Sequence, residues 1–272
     1  MQKFLRVFHF FNILSLDIAA GAMASTLFFG RLFDVDVLPQ GLISLGLTVW
    51  IIYTTDHLLD AKKIGQTAAT ERHRFHQLHF KPLFVLMMAA ILVDITQIYF
   101  IRVAVFRAGS ELATIVAVYF LVQRRLGFLK ELLGTLLYTG GVLLIPLAAA
   151  PDFPPRLILL VAQFALTAWI NLLLYSWIDC TRDKTDHHNS FATIFGERAS
   201  QRLLIALFAS QGMLALVGLL VASAPLKAVV VLLCMNSVML LIFVKRDFFE
   251  VNDRYRILGD AVFLLPLVYT LI

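Results

Sequence analysis

Apolar runs close to twenty residues long recur from one end of this chain to the other, and no other feature restricts its fold as much. A helix needs about 20 apolar residues to cross a hydrocarbon core about 30 Å thick. Reading such runs between polar breaks places nine spans, at Phe8–Leu27, Gly41–Leu58, Leu83–Ile101, Glu111–Leu121, Leu132–Ala150, Leu157–Ile178, Leu203–Ala222, Leu226–Val244 and Ile257–Ile272. The fourth is short for a span. The composition agrees: 60% of residues are hydrophobic and 15% charged, where soluble domains have about 45–50% and about 25%. The expected fold is all-α, a polytopic membrane protein with residues 1–272 forming a single integral-membrane domain. Its first segment reads as a retained helix, because no short apolar core ending in a small-residue cleavage site follows Arg6.

A net charge of +5 would suggest nucleic acid in a soluble protein. Here the charge is sorted by topology, and no nucleic-acid partner is expected. Eighteen of the 23 lysines and arginines fall in the N-terminal segment and in every second connection after it. The alternate connections hold Arg31, Arg102, Arg107, Arg156 and Lys227. Positively charged loops stay cytoplasmic, which predicts a multi-pass protein of the cell inner membrane with its N-terminus inside and its C-terminus outside. Cys180 lies beside charged residues and Cys234 within an apolar span, so no disulfide is expected.

The two longest inner connections follow the second and sixth spans, and each is entered through a pair of aspartates four residues apart: Asp56 and Asp60, then Asp179 and Asp183. On a helix such residues share a face with Cβ atoms about 5–6 Å apart, and like charges there repel. A divalent cation reverses that sign. Mg2+ takes hard oxygen ligands and is typically held by one or two carboxylates plus substrate phosphates, so two facing pairs would make a metal-bridged clamp for a diphosphate. Lys62, Lys63, Arg72, Arg74, Arg182 and Lys184 stand nearby to meet the remaining phosphate charge. A polar face runs up the sixth span through Asn171 and Tyr175 to Asp179 and Asp183. Taken singly, either pair also reads as a solvated helix end. Two pairs on one side of the membrane favour the clamp.

The stretch Asp179-Cys-Thr-Arg-Asp183, followed after six residues by Ser190-Phe-Ala-Thr-Ile-Phe-Gly196, resembles the second aspartate motif of the UbiA superfamily of intramembrane prenyltransferases. The first pair resembles that family's NDxxDxxxD motif less closely. With Asp60 at the central Asp, Asp56 stands at the Asn, His57 at the first Asp and Ile64 at the last, which leaves the number of bound metals open. The resemblance implies a bundle of nine helices with aspartate loops after the second and sixth. It also implies Mg2+ as cofactor, held by Asp56, Asp60, Asp179 and Asp183, and transfer of a prenyl group from a prenyl diphosphate to a hydrophobic acceptor within membrane lipid. Acceptors in the family include aromatic acids, quinone precursors, haem, chlorophyllide and archaeal glycerol lipids. Two other outcomes stay open: terpene cyclisation on the same site, and a degenerate homologue acting as a lipid carrier, transporter or scaffold.

His73, His76 and His79 recur at spacing three and read as an amphipathic basic stretch over the cytoplasmic mouth or on anionic lipid, with a zinc site as the lesser reading. His187-His188 reads as a polar loop pair, and Asp186 as an auxiliary metal ligand. Asp17 and Asp94 stand inside apolar spans, where an ionisable residue is a functional candidate, although hydrogen bonding between helices explains either equally well.

Overall fold

The computed structural model describes residues 2–63, 67–68, 70–123, 126–150, 152–186, 189–220 and 225–271, the side chains of residues 2–7 aside. Ile64, Arg124, Arg125, His187 and His188 therefore lie outside the described residues.

Every described element is helical: fifteen α-helices with short 3₁₀ turns between some of them. Among the described residues, seven segments are long and apolar enough to cross a membrane. They contain α3 (Pro39–Lys63), α5 (Phe80–Gln97), α6 (Val103–Val122), α7 (Lys130–Ala149), α8 (Ile158–Ile178), α11 (Glu197–Leu220) and α12 (Leu226–Val244). The first and ninth expected spans are built differently from the rest.

The first is broken. Helix α1 (Gln2–Ile13) stops, Ser15 takes the left-handed conformation (φ 56°), and α2 runs Leu16–Leu32. Buried polar contacts hold this break. Trp50 Nε1 donates to Leu14 O (2.9 Å), taking up a carbonyl that the interruption frees, and Ser15 Oγ meets His57 Nε2 at 3.2 Å. The ninth begins earlier than expected, as α14 (Arg254–Ala261), tightens to 3₁₀ over Val262–Leu264, and ends as α15 (Pro266–Leu271). Pro266 has no N–H to give the preceding turn, which accounts for the break there. The fourth expected span, Glu111–Leu121, is the C-terminal part of the longer α6. Its first turns carry Arg107, Ser110 and Glu111, which hide the helix from a hydropathy reading, while Ser110 Oγ satisfies itself on Phe106 O (2.8 Å).

Helices α2 and α8 form the centre. Helix α2 packs on α3, α7 and α15, and α8 on α7, α11 and α12. Gly21 lets α2 close on the C-terminal segment, since a Cβ there would stand 2.8 Å from Phe263 Cβ. Phe28, Phe29, Phe164, Tyr138 and Phe263 then interlock, mostly edge to face. Polar side chains tie helices together inside: Thr26 Oγ1 donates to Val142 O (2.8 Å), and Gln211 Nε2 to Gln163 O (2.7 Å) and Thr167 Oγ1 (2.8 Å). Helices α5 and α6 are peripheral. They expose large apolar side chains such as Leu86, Leu92, Val118 and Leu121, as lipid-facing helices do. Helix α5 leans on α3 and α6 on α7, and the two barely touch each other.

Candidate functional site

A cavity of about 710 Å³ opens inside the bundle, and all four aspartates singled out from the sequence line it. Along α3 its wall runs from Gly41 to Asp60, about 28 Å at 1.5 Å per residue and so close to the thickness of a hydrocarbon core. Its polar residues crowd at the Asp60 end. Elsewhere it is walled mainly by apolar and aromatic side chains, among them Ile52, Ile98, Phe106, Leu137 and Phe263, with Thr48 and Asp94 among the polar exceptions.

Two helix exits supply the acids. At the end of α3, Lys63 Nζ donates to Asp60 Oδ1 (2.8 Å). Gln123 bonds the Asp56 carboxylate, whose Oδ1 is buried without a hydrogen-bond partner. At the end of α8, Asp179 starts the short α9 (Cys180–Thr185), which carries Asp183 one turn on. The stretch from Ser190 to Gly196 then folds as α10 (Phe191–Phe195) between two local signals. Ser190 and Thr193 form a reciprocal capping box, and Gly196 ends the turn at φ 86°. The free N–H groups of α10 are taken by its neighbours: Phe191 N donates to Glu131 Oε1 (2.7 Å) and Ala192 N to Ser176 Oγ (3.0 Å). This small helix thereby holds the Asp183 loop against α7 and α8. Burial foremost, and then the charge of Asp179, push the Asp183 carboxyl up to about 7, opposed by a hydrogen bond from Ser190. The two acid pairs share Lys130, which acts electrostatically on both Asp56 and Asp183.

Asp179 is engaged by the protein itself. Its Oδ1 accepts from Tyr255 Oη (2.6 Å) and Arg182 (3.2 Å), its Oδ2 accepts from Arg256, and its side chain is 2% exposed. Arg182 also bonds Asp253 (2.6 Å). Among the expected substrate-binding residues, Asn171 and Tyr175 line the cavity, and so does Arg72, which α4 (Glu71–Leu78) turns inward. Its guanidinium donates to Asn12 O (3.0 Å) and Asn12 Oδ1 (2.9 Å). Lys62, Arg74 and Lys184 are exposed and stand off the wall. Lys63 reaches the site through Asp60. Asp186 is outside the lining.

Among the described residues no group of three His, Cys, Asp or Glu side chains is placed to hold a metal ion. This includes His73, His76 and His79. His76 is buried, donates Nδ1–H to Arg72 O (2.8 Å) and is held below its ordinary pKa by that burial, while His79 stacks on Phe75. A magnesium ion needs no such preformed cage, since it keeps waters and takes one or two carboxylates together with phosphate oxygens. The donor set fits that description at Asp56, with its orphaned oxygen, at Asp60, and at Asp183, whose carboxyl stays raised despite the charges of Arg256 and Lys130. It fits less well at Asp179, which two guanidinium groups already neutralise.

Four charged lining residues carry no sequence signal for a site: Lys130, Glu131, Arg256 and Asp260. Lys130 and Arg256 were visible only as members of the cytoplasmic charge set, and nothing in their local sequence marks their targets. Asp260 sits in a network with Asp17. Asn12 Nδ2 donates to Asp17 Oδ2 (2.6 Å) and to Asp260 Oδ2 (2.8 Å), and Tyr175 Oη donates to Asp260 Oδ1 (2.7 Å). Asp94, the other acid inside an apolar span, accepts from Thr48 Oγ1 (2.9 Å) on the cavity wall.

No protein-family model and no curated protein sequence matches this chain. Solved structures do match it in shape. A UbiA homolog from Archaeoglobus fulgidus, solved bound to GPP and Mg2+, superposes with a TM-score of 0.67 at 13% identity, over 96% of this chain and 99% of that one. The apo structure of a UbiA homolog from Aeropyrum pernix K1 gives 0.65 at 14% identity, over 96% and 98%. The A. fulgidus protein bound to DMAPP and Mg2+ gives 0.61 at 13%, over 95% and 98%. This chain therefore has the UbiA-like fold across nearly its whole length.

Proposed function

We propose that this protein is a Mg2+-dependent intramembrane prenyltransferase, which moves a prenyl group from a prenyl diphosphate to an aromatic, quinone-precursor or other lipid-soluble acceptor. One observation carries the reading: acid pairs from two helix exits more than a hundred residues apart line the same end of one cavity, and most of the remaining wall is apolar or aromatic. The likeness in fold to proteins solved with a prenyl diphosphate and Mg2+ supports it.

Asp56, Asp60 and Asp183 would hold the ion, with Asp179 completing the set. Mg2+ bound there would offset the charge of the diphosphate and stabilise it as a leaving group. Arg72, Lys130 and Arg256 line the same end and present positive charge to the phosphate oxygens. The apolar wall keeps water from the allylic carbon. The rings of Tyr53, Tyr119 and Tyr138, also in the lining, offer negative faces to a cationic carbon. On this reading the acidic mouth faces the cytoplasm of the cell inner membrane, the N-terminus lies inside and the C-terminus outside, in line with the charge distribution.

The test is incubation of the purified full chain with prenyl diphosphates of several lengths, with Mg2+ and then with EDTA, following pyrophosphate and lipid products. Release that needs Mg2+ and disappears in Asp183→Asn is expected; unchanged turnover in that variant ends the assignment. One feature favours the degenerate-homologue reading instead, namely the engagement of Asp179 by Arg182 and Arg256. Absence of release at every chain length would decide for it, and a new hydrocarbon formed without an acceptor would decide for cyclisation.

A further inference from the structure

One turn deeper than the aspartate mouth, α14 presents a second acid to the cavity. Arg256 reaches Asp179 at the mouth. Asp260, four residues on and so on the same helix face, lies about 6 Å farther along the axis, where it lines the cavity beside Tyr175. Both oxygens of Asp260 are bonded: Oδ1 accepts from Tyr175 Oη (2.7 Å), and Oδ2 accepts from Asn12 Nδ2 (2.8 Å), with Arg72 at 3.5 Å. The same Asn12 nitrogen donates its other hydrogen to Asp17 Oδ2 (2.6 Å). Asp17 and Asp260 are 3% and 4% exposed. Two buried carboxylates are thus bridged by one neutral amide, and the cation bonded to the pair is the guanidinium of Arg72. One negative charge is left over. Two like charges this close in a low-dielectric site repel, and a proton delivered from the cavity would relieve that repulsion.

The site is also built to stay in place. Gly259 precedes Asp260, and a Cβ there would stand 2.5 Å from Tyr175 Oη and 3.1 Å from Asn171 Oδ1. Only the missing side chain lets α14 come close enough to α8 for the tyrosine hydroxyl to reach the carboxylate. Asn171 Nδ2 adds a bond to Gly259 O (3.3 Å).

We infer that the Asp17–Asp260 pair is the proton acceptor of the reaction, reached from the cavity through the Tyr175 hydroxyl. This rests on the prenyl-transfer reading. As the C1–O bond of the prenyl diphosphate breaks, its electron pair leaves with diphosphate. A nucleophilic carbon or oxygen of the acceptor bonds to C1, and the hydrogen it carried passes as a proton to Asp260, turning carboxylate into carboxylic acid. The acceptor class follows: a molecule that loses a proton on alkylation, such as a phenol, an enol or an aromatic ring C–H, and not a tertiary amine or thioether.

Two measurements test this on the full chain in lipid nanodiscs. Infrared difference spectroscopy, recorded as the unaltered protein turns over geranyl diphosphate with Mg2+, is expected to show the C=O stretch of a buried carboxyl gaining a proton, lost in Asp260→Asn; its appearance unchanged in that variant overturns the role. The second measurement uses geranyl diphosphate and Mg2+ alone, with no acceptor, so that the allylic cation either loses a proton to the protein, giving a triene, or is captured by water, giving an alcohol. Asp260→Asn is expected to lower the triene-to-alcohol ratio by about a hundredfold, in the range of a lost general base, while Mg2+-dependent binding of geranyl diphosphate stays intact. Tyr175→Phe, which leaves Asp260 held by Asn12 and Arg72, lowers the same ratio less and stands in should Asp260→Asn not fold. An unchanged ratio in either variant, or loss of diphosphate binding in Asp260→Asn, overturns the role. Absence of any diphosphate release from the unaltered protein defeats the transferase reading and this role with it, whereas release with an unchanged ratio defeats the role alone.

Discussion

At the scale of single residues, Asp179 and Asp183 show how two carboxylates four apart in sequence take different roles. Asp179 is locked by Tyr255, Arg182 and Arg256, whereas against the burial of Asp183 stand a Ser190 hydrogen bond and the more distant charges of Arg256 and Lys130. Removing Arg256 as Arg256→Met leaves the buried Asp179 charge with Arg182 as its remaining guanidinium partner. It should cost about 3 kcal/mol, the lower end for a broken buried pair because Arg256 is partly exposed, and should be read as a lower denaturation midpoint in detergent. Asp179→Asn in the same background should recover much of that loss. For Asp183 the sign runs the other way. Its carboxyl keeps a proton up to about pH 7, where an unfolded Asp loses it near 3.9. Ionisation of Asp183 therefore weighs against the metal-free fold as pH rises. An ion bound there must displace that proton, so Mg2+ affinity measured by titration calorimetry should rise as pH climbs through 7 and level off above it.

At the scale of elements, the short helices of the connections matter as much as the long ones. Helix α10 exists because a capping box starts it and a left-handed glycine ends it, and it anchors the loop that carries Asp183. Ser190→Ala should cost about 1 kcal/mol through the lost cap. It also removes the hydrogen bond that favours the Asp183 carboxylate, so the pH at which Mg2+ affinity levels off should move upward. Both short and broken elements were hard to read in the sequence. The apolar periodicity that marks a spanning helix continues through Ser15, and only the buried bonds from Trp50 and His57 explain why the chain turns there.

At the scale of the whole molecule, the cavity runs the depth of the bundle beside α5 and α6, which scarcely pack on each other. Gly109 of α6 is on its wall, and a Cβ added there meets nothing within 4 Å. Gly109→Trp should therefore fill the apolar channel without disturbing the core. The expected outcome is turnover retained with a short prenyl diphosphate and lost with a long one, measured as the ratio of their kcat/KM values. Equal loss with both would show that the prenyl chain does not run past this point.

Much of this protein could be read directly from its residues. The hydrocarbon core imposes a length on every crossing helix, and i, i+4 geometry marks both acid pairs, so the all-helical fold and Asp56, Asp60, Asp179 and Asp183 were legible. What tertiary structure decided is which charges meet. Arg256 finds Asp179 across 77 residues, and Asn12 finds Asp260 across 248. Lysines and arginines that looked equivalent as topology signals separated into those that line the cavity, Arg72, Lys130 and Arg256, and those left in solvent, Lys62, Arg74 and Lys184. The physical reason is that helix periodicity fixes neighbours only along one helix. Contacts between helices depend on how closely their backbones approach, which here turns on the absent side chains of Gly21 and Gly259.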